Sequence, residues 1–395
     1  MSDLSAVLIL TDDTAKTGSN KPMMLQNIMG IPLLSWLTAA LAADGCGRFF
    51  FICPEKYRAA AELCFPQGVP LTVADETDAA DPLHVFLSTA EEVEQDVTVI
   101  AAPVIYLPGH QAPGTAAVSG AYRMDRAALM GALDERVSLR ELRVGGERPL
   151  TAEDGFFRLS DPLDLAAWQP ALRKSVLRRL AKQGVEIWDE TNTYAAPDVF
   201  VGAGTALLPG TILLRGTVVG KNCVIGPNTY MENCKIADDA VVKSSQLYDS
   251  SVGAGTVVGP FAYLRPNSHI GSRCRVGDFV EVKNSSVGDG TKISHLTYVG
   301  DSDVGKNVNF GCGTVTVNYD REKKSRTVIG DDCFIGCNSN LIAPVTLGNG
   351  AYTAAGSTIT EDVPENALAI ARVRQTVKKD WATSHKLKEK PARKE

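Results

Sequence analysis

The chain has 395 residues, of which 44% are hydrophobic and 22% are charged, and its formal net charge is -6. This length allows two soluble domains, each with its own core. The negative charge argues against a general nucleic-acid binder, and no apolar run reaches the roughly 18 residues of a membrane span. Nine cysteines without a C-x-x-C pair predict neither a disulfide framework nor a zinc site. The N-terminus lacks a signal-peptide pattern, so we expect a cytoplasmic protein.

The first part of the chain predicts a small α/β domain. Apolar runs typical of buried parallel strands lie at 6–10, 48–53 and 96–102, and helical patterns lie at 32–43 and 172–182. We place this domain at 1–170. A basic amphipathic stretch then predicts a linker helix at 171–184.

From Phe200 onward, an aliphatic residue recurs every six residues, often followed by glycine. The register holds through three stretches, from Val201 to Met231, from Val252 to Val282 and from Ile329 to Ile359. Such a period fits a solenoid in which each hexad forms one short strand and a corner, and three hexads close a triangular coil. An antiparallel sandwich would rarely hold this register. We predict a left-handed parallel β-helix at 185–374, followed by a basic tail at 375–395.

Two departures from the plain repeat suggest a functional site. The polar segment 317–328 interrupts the period, and solenoids carry function on such excursions. Arg265 and Lys283 are 18 residues apart in unbroken register, so the period stacks them on adjacent coils. Because two stacked cations repel each other, we expect an anion such as a phosphate between them.

Several segments outside the repeat resemble the bifunctional N-acetylglucosamine-1-phosphate uridylyltransferase/glucosamine-1-phosphate acetyltransferase family. They lie in the same order as in that family, at 259–266, 276–283, 294–301, 309–314, 318–320, 329–332, 343–345, 354–356 and 365–372. The resemblance covers roughly 184–379. It implies acetyl-CoA-dependent N-acetylation of glucosamine 1-phosphate, for UDP-N-acetylglucosamine and peptidoglycan synthesis. It also implies a homotrimer with its sites between neighbouring prisms.

The resemblance assigns the residues of this reaction. His295 is the general base, in a motif whose leading glycine has become Ser294, and a histidine suits this task near neutral pH. Glu281 orients the imidazole, although an ion pair with a neighbouring base is an alternative for it. The sugar-phosphate residues are Arg265, Lys283, Tyr298, Asn309 and Lys324, with Lys323 as an adjacent competitor for the last role.

By the same resemblance, acetyl-CoA lies near Asn318, Tyr319, Cys337, Ala355 and Arg372. The family usually has serine at the position of Cys337. A cysteine nucleophile that forms an acetyl-enzyme is therefore a competing idea, but direct attack in a ternary complex is the family pattern.

The first domain departs from the family's uridylyltransferase pattern. In the segment 11–20, where the family has a glycine-rich loop that holds UTP, only Gly18 remains, and Asp12 and Asp13 would repel a triphosphate. The metal-binding aspartate of the family is missing from 101–104, so we expect no Mg²⁺ site. Lys16 and Lys21 could still bind a phosphate group.

We therefore predict a degenerate domain without uridylyl transfer, and a separate uridylyltransferase acting downstream. Two alternatives stay open. One is a bifunctional enzyme with an unusual nucleotide loop, and the other is a first domain that serves as a regulatory or docking module.

Overall fold

The computed structural model describes residues 4–89, 96–110, 117–135 and 148–385. An α/β unit is followed by a long parallel β-helix, and both parts of the predicted fold class are confirmed. Within these residues, no helix is long and apolar enough to cross a membrane.

The α/β unit is built on a six-stranded sheet with the order β5-β4-β1-β6-β8-β9. Its strands are β1 (Leu4–Ile9), β2 (Asn27–Ile28), β3 (Ile31–Pro32), β4 (Cys46–Ile52), β5 (Leu71–Ala74), β6 (Asp96–Ile100), β7 (Val104–Tyr106), β8 (Ala117–Asp125), β9 (Arg148–Thr151) and β10 (Phe156–Arg158). Strands β5, β4, β1 and β6 run parallel, whereas β8 and β9 are antiparallel to their neighbours. The remaining strands form the antiparallel pairs β2–β3 and β7–β10.

Helices cover both faces of this sheet. They are α1 (Thr14–Thr17), α2 (Leu33–Ala43), α3 (Glu55–Glu62), α4 (Ala80–Ser88) and α5 (Arg126–Asp134), with a 3-10 turn at Met23–Leu25. Two apolar clusters, one on each face, explain why the central strands are apolar along their whole length.

A long helix, α6 (Pro162–Lys182), joins the unit to the β-helix. It begins earlier than the predicted linker at 171, because Asp161 and Asp164 form a capping box and Pro162 occupies the first turn. Pro170 lies inside the helix, although proline usually ends a helical pattern. The buried side chains of α6 share one apolar cluster with the first coils of the β-helix.

The β-helix consists of three parallel sheets, one for each face of a triangular prism. The first face contains β11 (Glu186–Ile187), β14 (Ala206–Leu207), β17 (Val224–Ile225), β20 (Val241–Val242), β23 (Val257–Val258), β26 (Arg275–Asp278), β29 (Lys292–His295), β32 (Asn309–Phe310), β35 (Phe334–Ile335), β38 (Tyr352–Thr353) and β40 (Leu368–Ala369). The second face contains β12 (Tyr194–Ala195), β15 (Ile212–Leu213), β18 (Tyr230–Glu232), β21 (Gln246–Tyr248), β24 (Tyr263–Leu264), β27 (Glu281–Lys283), β30 (Tyr298–Gly300), β33 (Val315–Val317), β36 (Asn340–Ile342) and β39 (Thr358–Ile359). The third face contains β13 (Phe200–Val201), β16 (Val218–Val219), β19 (Lys235–Ile236), β22 (Ser250–Val252), β25 (Ser268–Ile270), β28 (Ser286–Val287), β31 (Ser302–Val304), β34 (Thr327–Ile329) and β37 (Val345–Leu347).

The aliphatic residues of the hexads fill the prism. On the second face, Leu264, Val282 and Val299 are paired in register on successive coils and are fully buried. Burying such a side chain contributes about 1.5–3 kcal/mol relative to leaving it in water. Threonine hydroxyls satisfy corner backbone groups, as Thr256 does by donating to the Gly271 carbonyl over 2.7 Å.

The chain beyond the prism is exposed. Helix α7 (Trp381–Ser384) is short, and Val373 and Val377 are 90% and 70% exposed. Of the predicted basic tail, residues 386–395 lie outside the described part of the chain.

Corner glycines allow the coils to approach each other. A Cβ added at Gly253 would lie 2.5 Å from the Gly271 carbonyl carbon and from the Ser272 amide nitrogen on the next coil. We expect Gly253→Ala to destabilise the protein by about 1–3 kcal/mol, because the backbone it would strike cannot move aside. The apparent midpoint of thermal unfolding measures this loss.

Gly131→Ala is the matched control. Gly131 lies inside α5, and an added Cβ would meet no atom within 4 Å. Alanine should be neutral there or stabilise the helix by up to about 1 kcal/mol. Equal loss of stability in both variants would show that coil contact is not the cause.

Candidate functional site

His295 is held by a carboxylate on the preceding coil. It ends strand β29, its side chain is 56% exposed, and its Nδ1 lies 2.7 Å from Oδ1 of Asp278. The two residues are partners in the parallel register of β26 and β29. The hydrogen bond from the imidazole lowers the pKa of the Asp278 carboxyl. With Nδ1 occupied, the free nitrogen of the ring is Nε2, which makes His295 suited to accept a proton from a ligand.

Glu281 does not contact His295, and this corrects the expected arrangement. Its Oε1 accepts a hydrogen bond from the Arg265 guanidinium at 2.8 Å, and this bond raises the pKa of Arg265. The ion pair kept as the alternative for Glu281 is therefore the observed contact. The strand register is the physical reason. Glu281 is paired with Tyr263 on the second face, whereas Asp278 is paired with His295 on the first.

Lys283 is anchored by Asp301, a buried aspartate on the next coil. Its Nζ lies 3.3 Å from Asp301 Oδ2, and the two side chains are 19% and 6% exposed. The same carboxylate accepts hydrogen bonds from the side-chain amides of Asn284 and Asn318. Burial raises the pKa of the Asp301 carboxyl, but these hydrogen bonds and the lysine charge outweigh burial and lower it. Asp301 thus joins a predicted sugar-phosphate residue to a predicted acetyl-CoA residue.

The polar excursion folds into a small hairpin. Its two sides meet at the bridge between Tyr319 and Lys324, and the Asn318 carbonyl accepts the Ser325 amide over 2.9 Å. At its base, Arg326 contacts Asp303 through Nε at 2.9 Å and through a second guanidinium nitrogen at 2.5 Å. This bidentate pair fixes the hairpin, which presents exposed Tyr319 and Lys324.

The remaining predicted residues follow the first face of the prism and its corner. Asn309 is half-buried in β32, next to Lys292 on the preceding coil. Cys337 and Ala355 lie at the same corner on consecutive coils, where the Cys337 carbonyl accepts the Gly356 amide over 2.8 Å. Cys337 is an exposed free thiol, and Arg372 is exposed beyond the last full coil.

The predicted site residues therefore fall into two groups. Arg265, Glu281, Lys283 and Tyr298 belong to the second face, whereas His295 and Asn309 belong to the first. In the β-helix, hydrogen bonds or ion pairs link Arg265 to Glu281, Lys283 to Asp301 and Asp301 to Asn318. The roles assigned to these residues stay predictions.

Comparison with known proteins finds relatives of the β-helix. A family profile described as "Bacterial transferase hexapeptide (six repeats)" matches residues 249–284 and 326–361, and one described as "Hexapeptide repeat of succinyl-transferase" matches 198–232. The bifunctional protein GlmU of Acetivibrio thermocellus is 53% identical over 223 residues, which are 56% of this chain and 48% of the relative. GlmU of Clostridium perfringens (strain SM101) is 52% identical over 225 residues, 57% of this chain and 50% of the relative. The C-terminal half of this chain is therefore similar in sequence to about half of each of these GlmU proteins.

The chain spans about half the length of the curated GlmU relatives that it matches. Among solved structures, the UDP-N-acetylglucosamine acyltransferase of Campylobacter jejuni is 17% identical with a TM-score of 0.28, over 37% of this chain and 71% of that one. That of Francisella novicida is 18% identical with the same TM-score of 0.28, over 47% and 66%.

The loop that resembles the nucleotide loop of the GlmU family is closed by its own carboxylates. Asp12 accepts hydrogen bonds from Thr14 and forms an ion pair with Lys56 at 2.6 Å, which lowers the pKa of the Asp12 carboxyl. Asp13 accepts the Met23 amide at 2.9 Å. These contacts use the backbone and lysine donors that a phosphate would need.

Two residues of the site were missed from the sequence. Asp278 follows Val276 and Gly277 at the same offset at which His295 follows Ile293 and Ser294, so aligning these two hexads would have found it. Asp301 gave no such signal, because its importance depends on two amides and a lysine that converge on it only after folding.

Removing the Asp278 side chain should release the His295 ring. In Asp278→Ala the imidazole loses its partner at Nδ1, so the neutral ring should shift from the Nδ1–H tautomer toward the Nε2–H tautomer. NMR of histidine-labelled protein measures the tautomer from the ring nitrogen signals, and His295→Ala identifies the signal among the five histidines.

Asp303→Ala is the control, since that carboxylate is paired with Arg326 on another face. It should leave the tautomer of His295 unchanged. The wild-type tautomer in Asp278→Ala as well would mean that Asp278 does not hold the imidazole in solution.

Proposed function

We propose that this chain transfers the acetyl group of acetyl-CoA to the amine of glucosamine 1-phosphate, giving N-acetylglucosamine 1-phosphate and free CoA. The observation that carries the proposal is the Asp278–His295 pair, with Nε2 of the imidazole left for a ligand. The 53% identity between the C-terminal half and GlmU of Acetivibrio thermocellus supports the same reaction. The product would serve UDP-N-acetylglucosamine and peptidoglycan synthesis, with a separate enzyme adding the uridylyl group.

In this reaction, His295 takes a proton from the substrate ammonium. The amine nitrogen then attacks the thioester carbonyl, and the C–S bond breaks as the tetrahedral intermediate collapses. The CoA sulfur leaves as thiolate and takes up the second proton that the nitrogen loses as the amide forms. Asp278 stabilises the imidazolium that forms and keeps Nε2 directed outward.

Arg265 and Lys283 suit the substrate phosphate. Each keeps N–H donors that its present carboxylate partner does not use, since a guanidinium has five donors and an ammonium has three. Tyr298 and Asn309 supply neutral polar groups on the neighbouring strands, and Lys324 extends from the hairpin. Asn318, Tyr319, Cys337, Ala355 and Arg372 would bind acetyl-CoA.

We also propose that the enzyme is a cytoplasmic homotrimer. Phe261 and Phe279 stack at 5.4 Å on one corner of the prism, each 59% exposed, and Leu296 continues this corner at 58% exposed. Leu296 directly follows His295. A second prism covering this apolar corner would also close the site from water.

His295→Ala should lower kcat by about 100-fold or more, because the amine stays protonated without its base. Release of free CoA from acetyl-CoA and glucosamine 1-phosphate measures the rate. His269→Ala is the matched control, since His269 is exposed on the third face and contacts Ser251 at 2.9 Å. It should keep wild-type activity.

Full activity in His295→Ala would remove the base assignment. Lack of activity in the wild-type protein would remove the proposed reaction. The two outcomes are separate, because the second does not depend on any variant.

We propose further that uridylyl transfer has been lost. The closed loop around Asp12 and Asp13, and alanines at 101 and 102 where the family has its metal carboxylate, support this. Incubation with UTP, Mg²⁺ and N-acetylglucosamine 1-phosphate should release no pyrophosphate from a sample that is active in acetyl transfer. Pyrophosphate release would support the bifunctional alternative instead.

A further inference from the structure

A cleft lies where the α/β unit meets the first coils of the β-helix. Its volume is about 350 Å³, and its walls come from the segment that follows the closed loop, from α3 and from the second face of the prism. It is remote in sequence from the residues of the proposed acetyl transfer. The apolar cluster that runs from Trp36 through Leu177 to Leu207 packs the two parts together and so fixes the shape of the cleft.

Two cations line this cleft, one from each part of the protein. Lys21 comes from the α/β unit and Arg215 from the corner after β15. Across the described ranges, neither forms an ion pair with a carboxylate within 4.0 Å. Burial raises the pKa of the nearby Cys64 thiol, and the charges of Arg215 and Lys21 both oppose that rise. Both charges therefore act on the same small region.

Two of the other polar side chains of the cleft, Glu232 and Tyr57, already have hydrogen-bond partners. Glu232 accepts the Tyr230 hydroxyl at 3.1 Å, and the Tyr57 hydroxyl donates to Asp12 at 3.2 Å. With one carboxylate and two cations, the lining carries a net positive charge. A ligand with negative charge is favoured at such a place.

The remaining wall is apolar. Leu25, Ile31, Ala60 and Leu214 contribute to it, and Leu63 stands 70% exposed at the edge. Such an exposed leucine would contact the uncharged part of a ligand whose anionic group binds the two cations.

We propose that this cleft binds a small phosphate monoester, either a nucleoside monophosphate or a sugar phosphate. Lys21 and Arg215 hold the phosphate, and the apolar wall contacts the base or the sugar. The volume lies within the range of small-molecule sites, about 300–1,000 Å³. This site is independent of the proposed acetyl transfer and gives the first domain a ligand that needs no uridylyl chemistry.

The test is isothermal titration of the full chain with UMP, glucose 1-phosphate, inorganic phosphate and uridine. At least one of the two phosphate esters should bind, and uridine, which lacks the phosphate, should bind at least about tenfold more weakly than UMP if UMP is the ligand. The preferred ester distinguishes a nucleotide from a sugar phosphate. Lys21→Ala/Arg215→Ala should weaken the binding by at least about tenfold.

Lys221→Ala/Lys235→Ala removes two exposed lysines from the outside of the prism and is the matched control. It should bind as the wild type does. Leu63→Glu places a carboxylate at the edge of the cleft without disturbing a buried side chain, and it should also abolish binding. This variant keeps the test open if the double variant fails to fold. Absence of binding for both esters at millimolar concentrations, or binding that is the same in the wild type, Lys21→Ala/Arg215→Ala and Leu63→Glu, would overturn the proposal.

Discussion

The hydrogen bonds between successive coils determine where every functional side chain of the β-helix lies. The Arg265 amide donates to the Val282 carbonyl at 2.9 Å, and the Glu281 amide donates to the Thr297 carbonyl at 3.0 Å. Because the buried aliphatic column allows only one register, a residue's place in the hexad decides which face it occupies and which side chains lie above and below it. The site is consequently assembled from short strands that are distant in sequence but adjacent in the stack.

This stacking places like charges close together, and carboxylates on neighbouring coils compensate them. The sequence predicts an anion between the stacked side chains of Arg265 and Lys283. In the structure the protein supplies that compensation itself, since Glu281 binds Arg265 and Asp301 binds Lys283. A substrate phosphate would therefore join an existing network and share the donors, rather than fill an empty gap between two cations. Repulsion between stacked cations shows that an anion is needed, but it does not distinguish a carboxylate of the protein from the phosphate of a ligand.

The sequence was sufficient for the β-helix because its period is long, regular and tied to burial. It also placed three strands of the first domain, β1, β4 and β6, and helix α2 within a few residues. It failed where the structure depends on contacts rather than on pattern. The start of α6 depends on the capping box at Asp161, which a search for helical periodicity does not weigh. Likewise, the resemblance selected Glu281 to orient His295, whereas the register between neighbouring coils pairs His295 with Asp278. The hairpin conformation of the excursion could not be read from its polar composition at all.

In the first domain, the loop at 11–20 is stabilised by its own carboxylates. Asp12 binds Lys56, and Asp13 accepts the Met23 amide. Lys21 takes no part in these contacts. It lies beyond the end of the loop and lines the cleft with Arg215. Since α6 and the shared apolar cluster hold the domain against the first coils, that cleft has a defined shape. Two cations that line one cleft without a carboxylate partner among the described residues are a physical basis on which an anion can bind.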